Sequence, residues 1–212
     1  MNEKPIDYYS NIRSEMCAFI KCKPQRVLEI GCGIGEFKQN FSKDTEYWWV
    51  EPYLIAAQKA SQSLTKIFND TYENCEDKIP EEYFDLIVCN DVIEHMKDPK
   101  KFLLNIRRKL THTGAMIVSI PNLRNAVVLF DLLIKGNFKY TTAGILDYTH
   151  LHLFTEKSFA EMAAECGWVV EISKPLPPAP FKPLKNFILN LAKFFIPEIK
   201  SEQIGFRLVL HK

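Results

Sequence analysis

Short apolar runs alternate with amphipathic stretches along this chain, and that alternation predicts its elements. Val27–Ile30, Tyr47–Val50, Phe84–Cys89 and Ala115–Ile120 are rich in branched and aromatic side chains and end at glycine, proline or polar residues. Runs this short are strands, and runs with so little polar alternation are strands covered on both faces. Lys66–Phe68 reads as a brief third strand, and Trp168–Ile172 and Phe206–Leu210 as a sixth and a seventh.

Helical patterns fill the gaps. Tyr9, Ile12, Met16, Phe19 and Ile20 share one face of an opening helix. Glu36–Ser42 and an alanine-rich segment after Pro52, reaching about Leu64, follow the first two strands. Asp98 before Pro99 starts a helix that the pattern carries to Leu110. There the carboxylate can accept from first-turn N–H groups, and a proline at the first position loses no hydrogen bond. Thr155–Cys166 is a helix stopped by Gly167. Strand and helix in alternation mean an α/β chain with a mostly parallel sheet between helical layers.

Two stretches break the rhythm. Residues 122–153 make a connection far longer than a strand-to-helix link needs, so a helix or a functional segment is expected there. Residues 174–203 open with five prolines in ten positions, then give an amphipathic helix over Pro183–Ile196. Leu184, Phe187, Ile188, Leu191 and Phe195 lie on its apolar face, opposite Lys182, Asn186, Asn190 and Lys193. We expect it to act as a lid, with contact to an anionic membrane or a lipid-linked substrate as the alternative. Substrate specificity should reside in these two insertions.

With 212 residues, 47% hydrophobic and 25% charged, the chain can bury a full core, which excludes a disordered or collagenous chain and makes 1–212 one domain. None of the six cysteines forms a CxxC pair, as expected in a reducing compartment. The first ten residues carry Glu3 and Asp7 without an apolar stretch, and no run of 18 apolar residues occurs, so the expected location is cytoplasmic. The net charge of +1 hides a basic end: from Lys174 onward there are 7 basic residues against Glu198 and Glu202. The cluster around Lys97, Lys101, Arg107 and Arg108 alternates with apolar positions and lacks the aromatic interleaving of a single-strand nucleic-acid track.

The chemistry begins at Val27-Leu-Glu-Ile-Gly-Cys-Gly-Ile-Gly35. Gly31, Gly33 and Gly35 right after a buried strand permit a tight strand-to-helix turn and let a ligand lie against the backbone. Twenty residues after Gly31, Glu51 ends the next strand, where a carboxylate can accept both hydroxyls of a ribose. The spacing is GxGxG rather than the GxGxxG of dinucleotide sites, and Glu29 precedes it. A carboxylate beside the ligand suits an ammonium and repels a pyrophosphate. The pattern therefore favours a nucleoside carrying an amino-acid tail over a nicotinamide dinucleotide.

These residues resemble the class I methyltransferases that depend on S-adenosylmethionine (SAM). The likeness extends to Asn69-Asp70, to Phe84–His95 and to Leu110–Asn122, over roughly residues 5–173 and the closing strand. It implies a doubly wound seven-stranded Rossmann-like sheet of order 3-2-1-4-5-7-6, with the last strand antiparallel. It further implies that Gly31, Cys32, Gly33 and Gly35 line the methionine and ribose portion, with Glu29 near the amino group. Glu51 and Pro52 would hold the ribose, Asp70 and Thr71 flank the adenine, and Asn90 and Asp91 floor the reactive methyl.

Methyl transfer from a sulfonium to a hydroxyl needs alignment, exclusion of water and a base. His95, after the fourth strand, and His150, before the helix that leads to the sixth, are the candidate bases, with Asp91 beside them. Asp91, Glu94 and His95, joined by His150, also resemble the E-x-x-E-H metal constellation of ubiquinone-type O-methyltransferases, with aspartate in place of the first glutamate. The expected activity is metal-free methyl transfer to a small or lipid-linked acceptor, a sugar hydroxyl first. Metal-dependent methylation of a ribose or phenolic hydroxyl and a non-catalytic SAM-binding module are the alternatives. The sugar acceptor follows the likeness of Gly136–Thr155 to methyltransferases of glycan and glycolipid assembly. Oligomeric state stays open.

Overall fold

The apolar runs are the strands. The computed structural model describes residues 11–61, 66–178, 189–190 and 194–211. Within them, β1 (Arg26–Ile30), β2 (Glu46–Val50), β3 (Lys66–Phe68), β4 (Phe84–Asn90), β5 (Leu110–Pro121), β6 (Trp168–Pro175) and β7 (Gln203–Leu210) form one sheet. Its order is 3-2-1-4-5-7-6, with β7 antiparallel to both β5 and β6 and the pairs among the first five parallel. This matches the expected topology in every strand.

The helices are α1 (Leu54–Ser61), α2 (Tyr72–Cys75), α3 (Pro99–Ile106), α4 (Ala126–Leu133) and α5 (Glu156–Glu165). Asp98 caps α3 as the pattern requires, accepting from the Lys101 N–H at 2.9 Å, a contact worth about 1 kcal/mol. Thr155 and Ser158 form a reciprocal capping box on α5, and Gly167 ends that helix at φ 80°.

Two apolar layers sandwich the sheet. Leu28, Ile30, Ile87, Cys89, Met116 and Val118 face one side, where Phe102, Ile106, Phe159 and Phe206 join them. Val27, Tyr47, Trp49, Leu86, Val88 and Ile117 face the other, against Met16, Phe19 and Phe37. Fully burying an aliphatic or aromatic side chain of this size contributes roughly 2 kcal/mol, so alternation along β1, β2 and β4 fixes the register firmly.

Several boundaries differ from the sequence reading. Among the described residues the opening helix is a 3-10 segment over Ser14–Phe19, and Glu36–Asn40 is another. The helix predicted to Leu110 leaves α geometry at Ile106 and tightens into a 3-10 turn over Arg107–Lys109. Leu110 then pairs with Phe84, and a bulge before Ala115 restores the register. β6 and β7 outlast their apolar runs because antiparallel pairing continues through Ser173, Lys174 and Gly205. The first insertion carries α4. Tyr9 and most of the predicted helix over 183–196 lie outside the described residues, as does the 62–65 end of the alanine-rich segment.

Candidate active site

A cavity of about 1240 Å³ opens at the carboxyl ends of β1, β2, β4 and β5, where ligands bind in open α/β sheets. Its floor is the glycine loop. Gly31 has φ 70°, and a Cβ there would stand 2.5 Å from Val92 Cγ2, so only glycine fits the turn. Gly33, at φ 54°, donates its N–H to Glu51 Oε2 at 2.8 Å, and Tyr53 N–H donates to Glu51 Oε1 at 2.9 Å. Glu51 thereby ties the glycine loop to the end of β2. A carboxylate has about four acceptor positions, so two remain for a ligand's hydroxyls. Burial raises its pKa, and the two N–H donors oppose that rise.

Glu29 lies at the same end, buried, accepting from the Tyr47 hydroxyl at 3.1 Å. Burial pushes its carboxyl up to about 8, so it is protonated at neutral pH until a cation approaches. Cys32, Pro52, Thr71 and Asn90 also line the cavity. Neither polar atom of the Asn90 side chain has a hydrogen-bond partner among the described residues, which leaves that amide free for a ligand. Cys32 is buried, and burial holds its thiol well above the ordinary range.

Two expected cofactor residues stand apart from the cavity lining. Gly35 caps the Glu36–Asn40 turn at φ 85°. Asp70 is exposed, and its carboxylate accepts from the Thr71 N–H and from Asn74. It organises the first turn of α2, and Thr71 and Tyr72 line the cavity in its stead.

At the opposite end, two imidazoles and a carboxylate converge. His95 Nδ1 donates to the Thr149 carbonyl at 3.1 Å, and His150 Nδ1 to the Ile145 carbonyl at 2.9 Å. With Nδ1–H committed, each neutral ring carries its lone pair on Nε2. The rings meet edge to face at 4.8 Å, and His150 Nε2 is 4.0 Å from Glu94 Oε1. The Glu94 backbone carbonyl accepts from the N–H groups of Leu151 and His152, which clamps the histidine segment to the end of β4. Asp147, fully buried, accepts from the Thr149 N–H and hydroxyl and fixes the turn.

Glu94 is 0% exposed, and neither carboxylate oxygen accepts a hydrogen bond among the described residues. Burial, then the charge of Asp91, raises its pKa well above the usual carboxylate range. Burial and then His150 lower the pKa of His95, so its ring is neutral at pH 7.

Asp91 is a correction. The expectation of a catalytic or metal-binding Asp91 beside Glu94 and His95 needs all three on one helical turn, whereas that turn spans only Ile93–His95. Asp91 precedes it at φ 55°, and its carboxylate pairs with Arg13 and accepts from Gln203 and Ser119. A carboxylate so engaged is available neither as base nor as ligand.

Arg13 was not legible beforehand. It sits at φ 51° with 8% exposure, lines the cavity and also donates to Ser119 and Gln203. Its partner Asp91 lies 78 positions away in the chain, and nothing local in the sequence marks the pair.

Sheet order, glycine turn and acidic anchor together define a class I methyltransferase fold. The family described as a methyltransferase domain matches residues 6–172, and the chain belongs to it. Among curated relatives, the ubiquinone biosynthesis O-methyltransferase of Rickettsia prowazekii is 27% identical over 176 residues, 79% of this chain and 64% of that protein. The mitochondrial ubiquinone biosynthesis O-methyltransferase of Schizosaccharomyces pombe is 24% identical over 126 residues, 56% of this chain and 45% of that protein. The chain spans about half the length of the first curated relatives it matches. A SAM-dependent methyltransferase from Archaeoglobus fulgidus superposes with a TM-score of 0.64 at 15% identity, covering 96% of this chain and 94% of that one. The 1,6-didemethyltoxoflavin-N1-methyltransferase of Burkholderia thailandensis, solved with its substrate and S-adenosylhomocysteine, gives 0.60 at 14% identity, covering 95% and 78%. At such identities the likeness is one of fold.

Proposed function

We propose that this protein transfers the methyl group of SAM to a hydroxyl oxygen of a small or lipid-linked acceptor. One observation supports the reading: a single cavity is lined by the glycine loop and Glu51 at one end and by two imidazoles, each with Nδ1 bonded to a backbone carbonyl, at the other. Glu51 receives the ribose hydroxyls, Thr71 and Tyr72 border the base, and Glu29 and Asn90 face the amino-acid end. Arg13 is the cation for the cofactor's carboxylate, a role it would share with its pairing to Asp91. Bound SAM would supply the methyl group, its sulfonium charge lost as the S–C bond gives way to the new O–C bond, and His95 Nε2 would take the hydroxyl proton. His95 is the better base because it is less buried than His150 and its ring is neutral at pH 7. Calorimetry with SAM and S-adenosylhomocysteine tests the reading, which fails if neither binds at high micromolar concentration. The acceptor is a sugar or phenolic hydroxyl, the second suggested by the names of the curated relatives; labelled-methyl transfer to a panel of both separates them.

A second reading is favoured by Glu94. The ligand atoms of Glu94, His95 and His150 lie within 4.8 Å of one another, and a fully buried carboxylate without a hydrogen bond is a group in want of a cation. One carboxylate and two imidazoles fit a divalent ion of intermediate softness better than Mg²⁺. Such an ion would lower the pKa of the acceptor hydroxyl, with His95 then serving as ligand rather than base. Cobalt titration followed by visible absorption decides: no spectral change, or the same change in Glu94→Gln, removes this reading and leaves the first intact.

A further inference from the structure

Helix α4 is apolar on nearly every side, and the fold covers little of it. Of Ala-Val-Val-Leu-Phe-Asp-Leu-Leu, only Ala126 and Val128 are buried. Leu133 and Ile134 are 73% and 71% exposed, and every residue from 132 to 144 is exposed, Phe138 and Tyr140 included. Large apolar side chains left in water forgo the favourable free energy of burial. A contiguous exposed stretch of this kind marks a docking surface. The patch extends beyond the helix: Ala126 packs on Leu189 and Ile199, and Phe194 and Phe195 in the same stretch are 85% and 80% exposed.

Charge and position select the partner. Lys135 and Lys139 are exposed among these side chains, Asp131 is paired with Lys135 at 2.7 Å, and Asp147 is buried, so the face presents positive charge. Apolar side chains interspersed with lysines suit an anionic bilayer, where the apolar groups enter the acyl boundary and the lysines meet headgroups. The chain then runs from the patch directly to the cavity mouth, which Gly144, Ile145 and Tyr148 line. A protein partner seated on the patch would obstruct that mouth, whereas a bilayer would supply it with acceptor.

We propose that the outer face of α4 and the loop through Tyr140 dock on an anionic lipid bilayer and hold the cavity mouth against it. The proposal rests on the reading of a lipid-linked acceptor. It adds the first insertion to the membrane contact that the sequence offers as the alternative for 183–196.

The test is cosedimentation of the full chain with phosphatidylglycerol–phosphatidylcholine vesicles and with phosphatidylcholine alone. The wild type is expected to pellet with the anionic vesicles. Leu133→Asp with Ile134→Asp should weaken partitioning by about a hundredfold, roughly tenfold for each side chain withdrawn from the acyl boundary. Lys135→Gln with Lys139→Gln should weaken it on anionic vesicles only. All four positions are exposed, and unchanged S-adenosylhomocysteine binding verifies that each variant folds. A wild type that stays in the supernatant, or a Leu133→Asp/Ile134→Asp variant that binds as well, overturns the proposal. So does equal partitioning of the wild type on neutral vesicles, or a dimer dissolved by the same substitutions without vesicle binding. Intact nucleoside binding beside failed vesicle binding removes only the membrane surface; loss of both removes the methyltransferase reading as well.

Discussion

Glu51→Ala is the most informative perturbation, because one carboxylate has two separable duties. The side chain already accepts from the N–H groups of Gly33 and Tyr53 at 2.8 and 2.9 Å. Its remaining lone pairs are the proposed ribose acceptors. Removing the carboxylate leaves both N–H groups unpaired, but the adjoining cavity admits water, so the stability loss is about 1–2 kcal/mol rather than the full penalty of two buried orphans. Binding loses more. Two charge-assisted hydrogen bonds to ribose hydroxyls are worth about 1.5–3 kcal/mol each, or roughly 10²- to 10⁴-fold in Kd together. Calorimetry with S-adenosylhomocysteine measures the second quantity, and a thermal melt the first. Glu51→Gln keeps one carbonyl acceptor and turns an NH2 toward the other N–H, so an intermediate loss is expected. If Glu51→Ala melts near the wild type and binds within threefold of it, Glu51 does not hold the nucleoside.

Three further outcomes follow from individual contacts. Gly31→Ala puts a Cβ 2.5 Å from Val92 Cγ2 at φ 70° and should cost about 2–4 kcal/mol in chemical denaturation, partly restored by Val92→Ala; no loss would mean that the turn is not held as described. Glu29 keeps its proton in the folded state up to about pH 8, whereas an unfolded glutamate loses it near 4.3. Its contribution to stability is therefore complete below the unfolded value and is lost as pH rises toward 8, by a few kcal/mol at most. Glu29→Gln should flatten that decline between pH 5 and 8, and a parallel decline in wild type and variant would refute the assignment. His95→Ala should reduce methyl transfer by about 10²–10⁴-fold with nucleoside binding unchanged, and in the wild type the acid limb of the rate profile should fall below the ordinary histidine range because burial and His150 lower its pKa.

What sequence could and could not supply divides along local and non-local causes. Each strand of the sheet announces itself in its own run of apolar residues, and the glycine turn needs only φ values that Gly31 and Gly33 alone accept cheaply, so topology and cradle were legible together. Glu51 was readable because its position at a strand end is counted along the chain. Arg13 and Asp91 were not, since their meeting depends on the opening segment reaching the residue that follows β4, and no periodicity encodes that. The same cause moved Asp91 from expected chemistry to an ion pair: three titratable residues close in sequence resemble one helical turn, but the chain leaves β4 through Asp91 in a left-handed conformation, whose carboxylate meets Arg13 while Glu94 and His95 meet His150. Pairing of His150 with Glu94 is also non-local, yet both lie in segments whose polarity contradicts their burial. A buried carboxylate without a hydrogen bond persists only where something else repays its desolvation. Within a cavity that the glycine loop and Glu51 also line, the occupant that would repay it is the proposed acceptor or the ion that activates it. Glu94→Leu separates this from a merely structural role: if the acid is kept for chemistry, the variant should be more stable than the wild type and inactive in methyl transfer.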